Sequence, residues 1–133
     1  MEAYWTSEEP EATGREASRH LGDPIRELDI HDQVREVWAH VQEGHAGHTA
    51  KTLVKLSHMR VVLMALRRGS IVPEHASEGE MALHVLSGRV RLDIAGETRE
   101  LGPGKLISTA SELPHDIRAL DDSTLLLTLS HPK

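Results

Sequence analysis

Residues 84–105 read HVLSGRVRLDIAGETRELGPGK, and this stretch decides how the chain folds. Val90, Leu92 and Ile94 alternate with Arg89, Arg91 and Asp93, a period of two that puts the apolar side chains on one face of a strand and the charges on the other. Ala95-Gly96 is a turn signal, and TREL beyond it supplies the returning strand of a hairpin. Gly102-Pro103-Gly104 is a second turn. No helix follows it, so it is not a phosphate-binding loop.

The same grammar extends in both directions. AKTLVKL, MRVVLMALR, MALHVL, RVRLDI, TREL, KLIST, HDIRAL and STLLLTLS are eight short β-like segments. Turn signals separate them at Ser57-His58, Gly69, Glu78-Gly79, Ser87-Gly88, Ala95-Gly96, Gly102-Pro103-Gly104, Leu113-Pro114 and Asp121-Asp122. About eight strands with tight turns and no helix between them specify an all-β sandwich or barrel, with an antiparallel jelly roll the most economical form.

Upstream the period changes. Ile30, Val34, Val37, Trp38 and Val41 recur at helical spacing, with Asp29 as N-cap and Gly44 as the stop. This predicts an amphipathic helix over about 29–43, either closing one end of the barrel or reaching toward a partner. Residues 1–24, rich in Glu, Ala, Ser and Thr, read as a flexible acidic arm. The remainder, 25–133, is one domain with its barrel at about 50–130.

Composition removes several functions. The 133 residues carry a net charge of −6 and no basic run, which argues against nucleic acid. There is no cysteine, so disulfides, thiolate nucleophiles and cysteine-bound zinc are excluded. No run approaches the roughly 18 apolar residues that span a bilayer. The first twenty residues lack the pattern of a secretory signal, so a cytoplasmic location is expected. With no Phe, one Tyr and two Trp, an internal pocket must be walled by Leu, Val, Ile, Met and Ala rather than by stacked rings.

From about Lys51 to Ser130 the chain resembles the cupin family, whose small single-domain members are double-stranded β-helix, or jelly-roll, barrels. The family's first motif runs Gly, five residues, His-x-His, three or four residues, Glu, six residues, Gly. Here Gly69, His75 and Gly88 fall in register, while Ser77 stands at the second His and Met81 at the Glu. Its second motif runs Gly, five residues, Pro-x-Gly, two residues, His, three residues, Asn. Gly104 and His115 match it, and Ala110, Glu112 and Ala119 replace the Pro, the second Gly and the Asn.

The resemblance implies one divalent metal held by those His and Glu positions, and only His75 and His115 survive. Two imidazoles are fewer than the three protein ligands usual in a catalytic site, and the Met81 thioether is no substitute for a carboxylate. A third ligand would have to be Glu78 or Glu80, which also read as solvated turn residues. His84 points outward if Met81, Leu83 and Val85 point inward. His40, His45, His48 and His58 are irregularly spaced and read as solvated positions. A metal-free acid–base site using a Tyr finds support only from Tyr4, in the arm.

Two readings follow. The first is a small-molecule-binding cupin of unknown ligand, with an aliphatic pocket formed by His75, Ser77, Met81, Leu83 and His115. The alternative is a metal-dependent cupin enzyme of dioxygenase or isomerase type, with Fe, Mn, Zn, Ni or Cu at His75, His115 and Glu78 or Glu80. The family also implies a homodimer. Consistent with that, STLLLTLS is a long uncharged strand that would invite aggregation if left as an open edge.

Overall fold

The computed structural model describes residues 20–43, 47–75, 79–110 and 113–130; for 42–43 and 73–75 it describes the backbone. Most of the expected arm, residues 1–19, and the stop at Gly44 lie outside the described residues. So does His45. Of the arm, 20–24 is described, and the Leu21 carbonyl accepts a hydrogen bond from the Lys55 amide (3.0 Å).

Among the described residues there are one helix and nine strands: α1 (Ile30–Glu43), β1 (His48–Lys55), β2 (Met59–Leu66), β3 (Ile71–His75), β4 (Met81–Ser87), β5 (Val90–Ile94), β6 (Glu97–Leu101), β7 (Leu106–Thr109), β8 (His115–Ala119) and β9 (Ser123–Ser130). They form two antiparallel sheets, β1-β2-β9-β4-β7 and β3-β8-β5-β6. The all-β jelly roll with one N-terminal helix is thus the architecture found.

The strand alternation does what its period dictates. On β4, Met81, Leu83 and Val85 are buried while Ala82, His84 and Leu86 are half-buried on the other face. On β5, Val90, Leu92 and Ile94 are buried. These residues join Val62, Met64, Leu66, Val72, Ile117, Leu125 and Leu127 in one core between the sheets. At about 25 cal/mol per Å² of apolar surface withdrawn from water, such side chains contribute the main favourable term in folding.

Helix α1 lies on the outer face of the five-stranded sheet, against β1 and β2, so it neither plugs a barrel end nor projects away. Val37 and Val41 pack with Leu53, Leu63 and Ala65. Asp29 caps it as expected, its Oδ1 accepting from the amides of His31 (2.9 Å) and Asp32 (3.3 Å). Two polar ties pin the helix: Trp38 Nε1 donates to Thr124 Oγ1 on β9 (2.8 Å), and the buried Lys51 Nζ meets Glu36 Oε1 at 2.6 Å. His40 is on this helix and His48 starts β1, so the histidine-rich run is only partly loop.

Two strand assignments differ from the sequence reading. Strand β3 was not among the eight segments; Pro73 interrupts its five-residue run, and proline cannot donate to a ladder. It is accommodated because β3 is an edge, with its register to β8 shifting between Val72 and His75. The second difference is β9. Residues STLLLTLS sit in the middle of a sheet, paired with β2 on one side and β4 on the other. Its lack of charge therefore reflects burial, and the case for a dimer built on β9 as an open edge falls.

The β5–β6 hairpin closes with two residues in the left-handed region, Ala95 (φ 51°) and Gly96 (φ 80°). A two-residue turn of this type suits the right-handed twist of the flanking strands and favours Asn-Gly. Alanine there is strained by about 1–2 kcal/mol. Replacing Ala95→Asn should therefore raise stability by about 1 kcal/mol, read as a higher urea midpoint with an unchanged slope. A lower midpoint would show that the turn tolerates Ala95 without strain.

Candidate functional site

The connections sort the strand ends into two rims. One holds Leu66, Ile71, Ser87, Val90, Ala119 and Ser123, and is locked by backbone contacts: Gly69 N to Ala119 O (2.8 Å), Ala119 N to Ser70 O (3.0 Å) and Leu120 N to Arg89 O (2.9 Å). The opposite rim carries the C-terminal ends of β3 and β7 and the N-terminal ends of β4 and β8. His75, Met81, Thr109 and His115 are those end residues, so positions singled out along the sequence share one rim.

His115 is the buried polar residue of that rim, 2% exposed, on the face of β8 that also carries Ile117 and Ala119. Its register partners are Ile94 on β5 and His75 on β3. Its Nδ1 lies 3.0 Å from the Leu113 carbonyl. Since a carbonyl can only accept, Nδ1 carries the proton in the neutral ring and Nε2 has the lone pair. Leu113 itself packs on the core, and the Pro114 carbonyl accepts from the Ala95 amide (3.3 Å), which fixes the approach to β8.

The remaining positions divide. Met81 is 3% exposed and Leu83 is fully buried in the core one inward step along β4. For His75 the backbone is described. Ser77 and Glu78 lie outside the described residues. Glu80 is exposed, tied to β9 by its amide on Ser130 Oγ (2.9 Å) and its carbonyl on the Ser130 amide (2.9 Å).

A cleft of about 610 Å³ opens at this rim on the five-stranded sheet, lined by His58, Met59, Glu80, Met81, Ala82, Ser108, Thr109, Ala110, Thr128 and Ser130. Its floor follows from register. Thr128, Ala82 and Ser108 lie side by side across β9, β4 and β7, and the small Ala82 between two hydroxyl residues leaves a trough. Of these residues the sequence had drawn attention to His58, Glu80, Met81 and Ala110, but not as one site. They come from four strands and the residues flanking them, and no linear spacing links them.

The donor set decides what the rim can hold. Among the described residues no three His, Cys, Asp or Glu side chains come together as a metal site. Met81, at the motif's Glu position, is packed in the aliphatic core. A resident divalent ion needs about three protein ligands of suitable hardness, and the described side chains of the rim do not supply three. Elsewhere, burial lowers the pKa of His48 at the opposite rim, and the Thr98 hydroxyl, followed by Arg91, holds Asp93 below the usual carboxylate range.

A family model described as "Cupin domain" (Cupin_2) matches residues 62–131. No curated protein matches the sequence. Among solved structures, a conserved protein of unknown function from Streptococcus pyogenes superposes with a TM-score of 0.66 at 22% identity, covering 88% of this chain and 98% of its own. KdgF from Halomonas sp. gives 0.60 at 24%, covering 65% and 81%. Salicylate 1,2-dioxygenase from Pseudoaminobacter salicylatoxidans, solved as gentisate adducts, gives 0.72 at 19%, with 84% of this chain matching 35% of that one. At these identities the likeness is one of fold.

Proposed function

This chain belongs to the cupin domain family, and on that premise we propose that it binds a small organic molecule at the rim of its barrel, in a largely aliphatic pocket whose polar handles are His75 and His115. The observation that carries this reading is His115: a nearly wholly buried imidazole with its proton directed to the Leu113 carbonyl and its other nitrogen a lone-pair acceptor. Withdrawing such a polar ring from water is costly unless its hydrogen bonds are met. On this reading Met81 belongs to the apolar wall, with Leu83 at or just behind it, and Ser77 is a further polar candidate taken from the sequence. The domain limits follow the same reading, with 25–133 as the binding domain and 1–24 as an acidic extension.

The test has two arms on untagged protein, purified without metal-affinity resin or chelator. Elemental analysis should find far less than one metal ion per chain. Thermal unfolding in the presence of small organic acids, alcohols and amides should find a stabilising class, worth about 2.7 kcal/mol at a hundredfold excess over Kd, whose effect disappears in His115→Ala. Near-stoichiometric Fe, Mn, Zn, Ni or Cu that is lost in His75→Ala/His115→Ala would overturn this reading. It would establish the metal-dependent enzyme instead, completed by Glu78 or Glu80.

A further inference from the structure

Strand register sets out the mouth of the barrel in rows. Across the five-stranded sheet, Arg60 pairs with Leu129, Leu129 with Met81 and Met81 with Thr109. Across the other sheet, at the same rim, His115 pairs with Ile94. Met81, His115 and Ile94 are buried, and Leu129 packs on the same core, so these side chains face the interior. Arg60 faces it too. Along β2 it keeps the parity of Val62, Met64 and Leu66, which enter the core, rather than that of Leu63 and Ala65, which meet α1.

Arg60 is half-buried, but its Nε is withdrawn from solvent and meets no acceptor among the described residues. An arginine that served only to cover apolar surface would keep its charged head in water. A buried donor left unmade carries its full desolvation cost, which is larger on a charged group. The next strand repeats the sign. Lys55, exposed at the end of β1, is the register partner of Arg60, and like charges directly opposite destabilise a sheet. Neither side chain makes an ion pair among the described residues. Glu80 does not answer them: one residue before Met81, it takes the opposite face and lines the cleft over Ala82. In a chain of net charge −6, this corner of the mouth is locally positive.

We infer that Arg60 is the anion-binding residue of this mouth, and that the molecule bound there is a small organic carboxylate. The inference rests on the binding reading above and adds the ligand's charge. A planar guanidinium offers Nε and one Nη side by side, a spacing that meets both oxygens of a carboxylate. Lys55 supplies a second charge, on a flexible stem, from the exposed side. The apolar remainder of the molecule lies along Leu129 and Met81, toward His115.

The experiment has a ligand-free arm and a binding arm, both on the full chain. In the first, the urea midpoint of Arg60→Met is compared with that of the wild type. It should be unchanged or higher, because the substitution keeps an apolar stem and removes a charge without a partner. A clearly lower midpoint would mean that the chain itself neutralises Arg60, and would overturn the inference while the reading on His115 stands. In the second arm, calorimetric titrations use hexanoate, hexanamide and hexan-1-ol, which share an apolar body and differ in charge. Hexanoate should bind the wild type about tenfold or more tightly than the other two, and Arg60→Met should abolish that preference. Equal binding of the three, lost in His115→Ala, would keep the binding reading and overturn the inference. A preference for hexanoate that survives in Arg60→Met would overturn it as well. If none of the three binds the wild type, both fall.

Discussion

Gly88→Ala should unfold this protein or leave it barely stable. Gly88 adopts φ +86°, in the left-handed region that costs an L-residue about 1–2 kcal/mol. An added Cβ would also strike the backbone of the β8–β9 connection: it would lie 2.6 Å from Ser123 Cα and against Asp122 O. The obstacle is backbone on a locked rim. The Ser123 hydroxyl, wholly buried, accepts from Arg89 N (2.9 Å) and shares its proton between the carbonyls of Asp121 (2.7 Å) and Arg89 (3.1 Å). Moving that loop breaks this set. Overpacking of this kind adds about 1–3 kcal/mol, for a combined loss of about 2–5 kcal/mol out of the roughly 5–15 kcal/mol a domain possesses.

Gly104→Ala makes the comparison informative. Gly104 has φ +84° but open space where its Cβ would go. It should lose only the conformational part, about 1–2 kcal/mol. Urea unfolding of both variants by circular dichroism measures the difference. Equal midpoints would mean that the Gly88 contact is relieved by a small shift and that the glycine serves conformation alone.

Leu83→Ala should cost about 2–5 kcal/mol, the range for deleting a buried leucine side chain and leaving part of the cavity behind. Leu83 has no exposed surface and is flanked in register by Leu127 on β9 and Ile107 on β7. The surrounding strands are paired on both sides of β4, which limits collapse into the space. The measurement is again a urea midpoint, supplemented by ligand-induced stabilisation once a ligand class is in hand. A loss under about 1 kcal/mol would show that Leu83 borders space already open, as a pocket wall would. The full loss would assign it to the core behind that wall.

The local record of the fold was clear in the residues because its code is local. Val90, Leu92 and Ile94 needed only a period of two, α1 only a stripe at 3.6 and Asp29 ahead of it, and the hairpin only Ala95-Gly96. Each follows from side-chain direction along an element, whatever the element later packs against. His115 drew attention differently, through the resemblance to the family's second motif, and the structure buries it at the rim. The metal-ligand spacing itself was broken at Ser77 and Met81, and the packing of Met81 in the aliphatic core gives that break a physical consequence.

Pairing order has no such local code. Pro73 cannot donate to a ladder, and the position of β3 at an edge is what makes it tolerable. STLLLTLS had the composition of a hazardous edge and is a central strand, whereas KLIST, read only as one more short segment, holds an edge strand. The cleft combines side chains from β2, β4, β7 and β9 that are neighbours only through register. The sequence by itself determined which residues face inward, where the chain turns and that the strands form a cupin jelly roll. The tertiary structure alone decided which strand is an edge, which face α1 covers and which residues share the rim, because those depend on contacts between strands far apart in the chain.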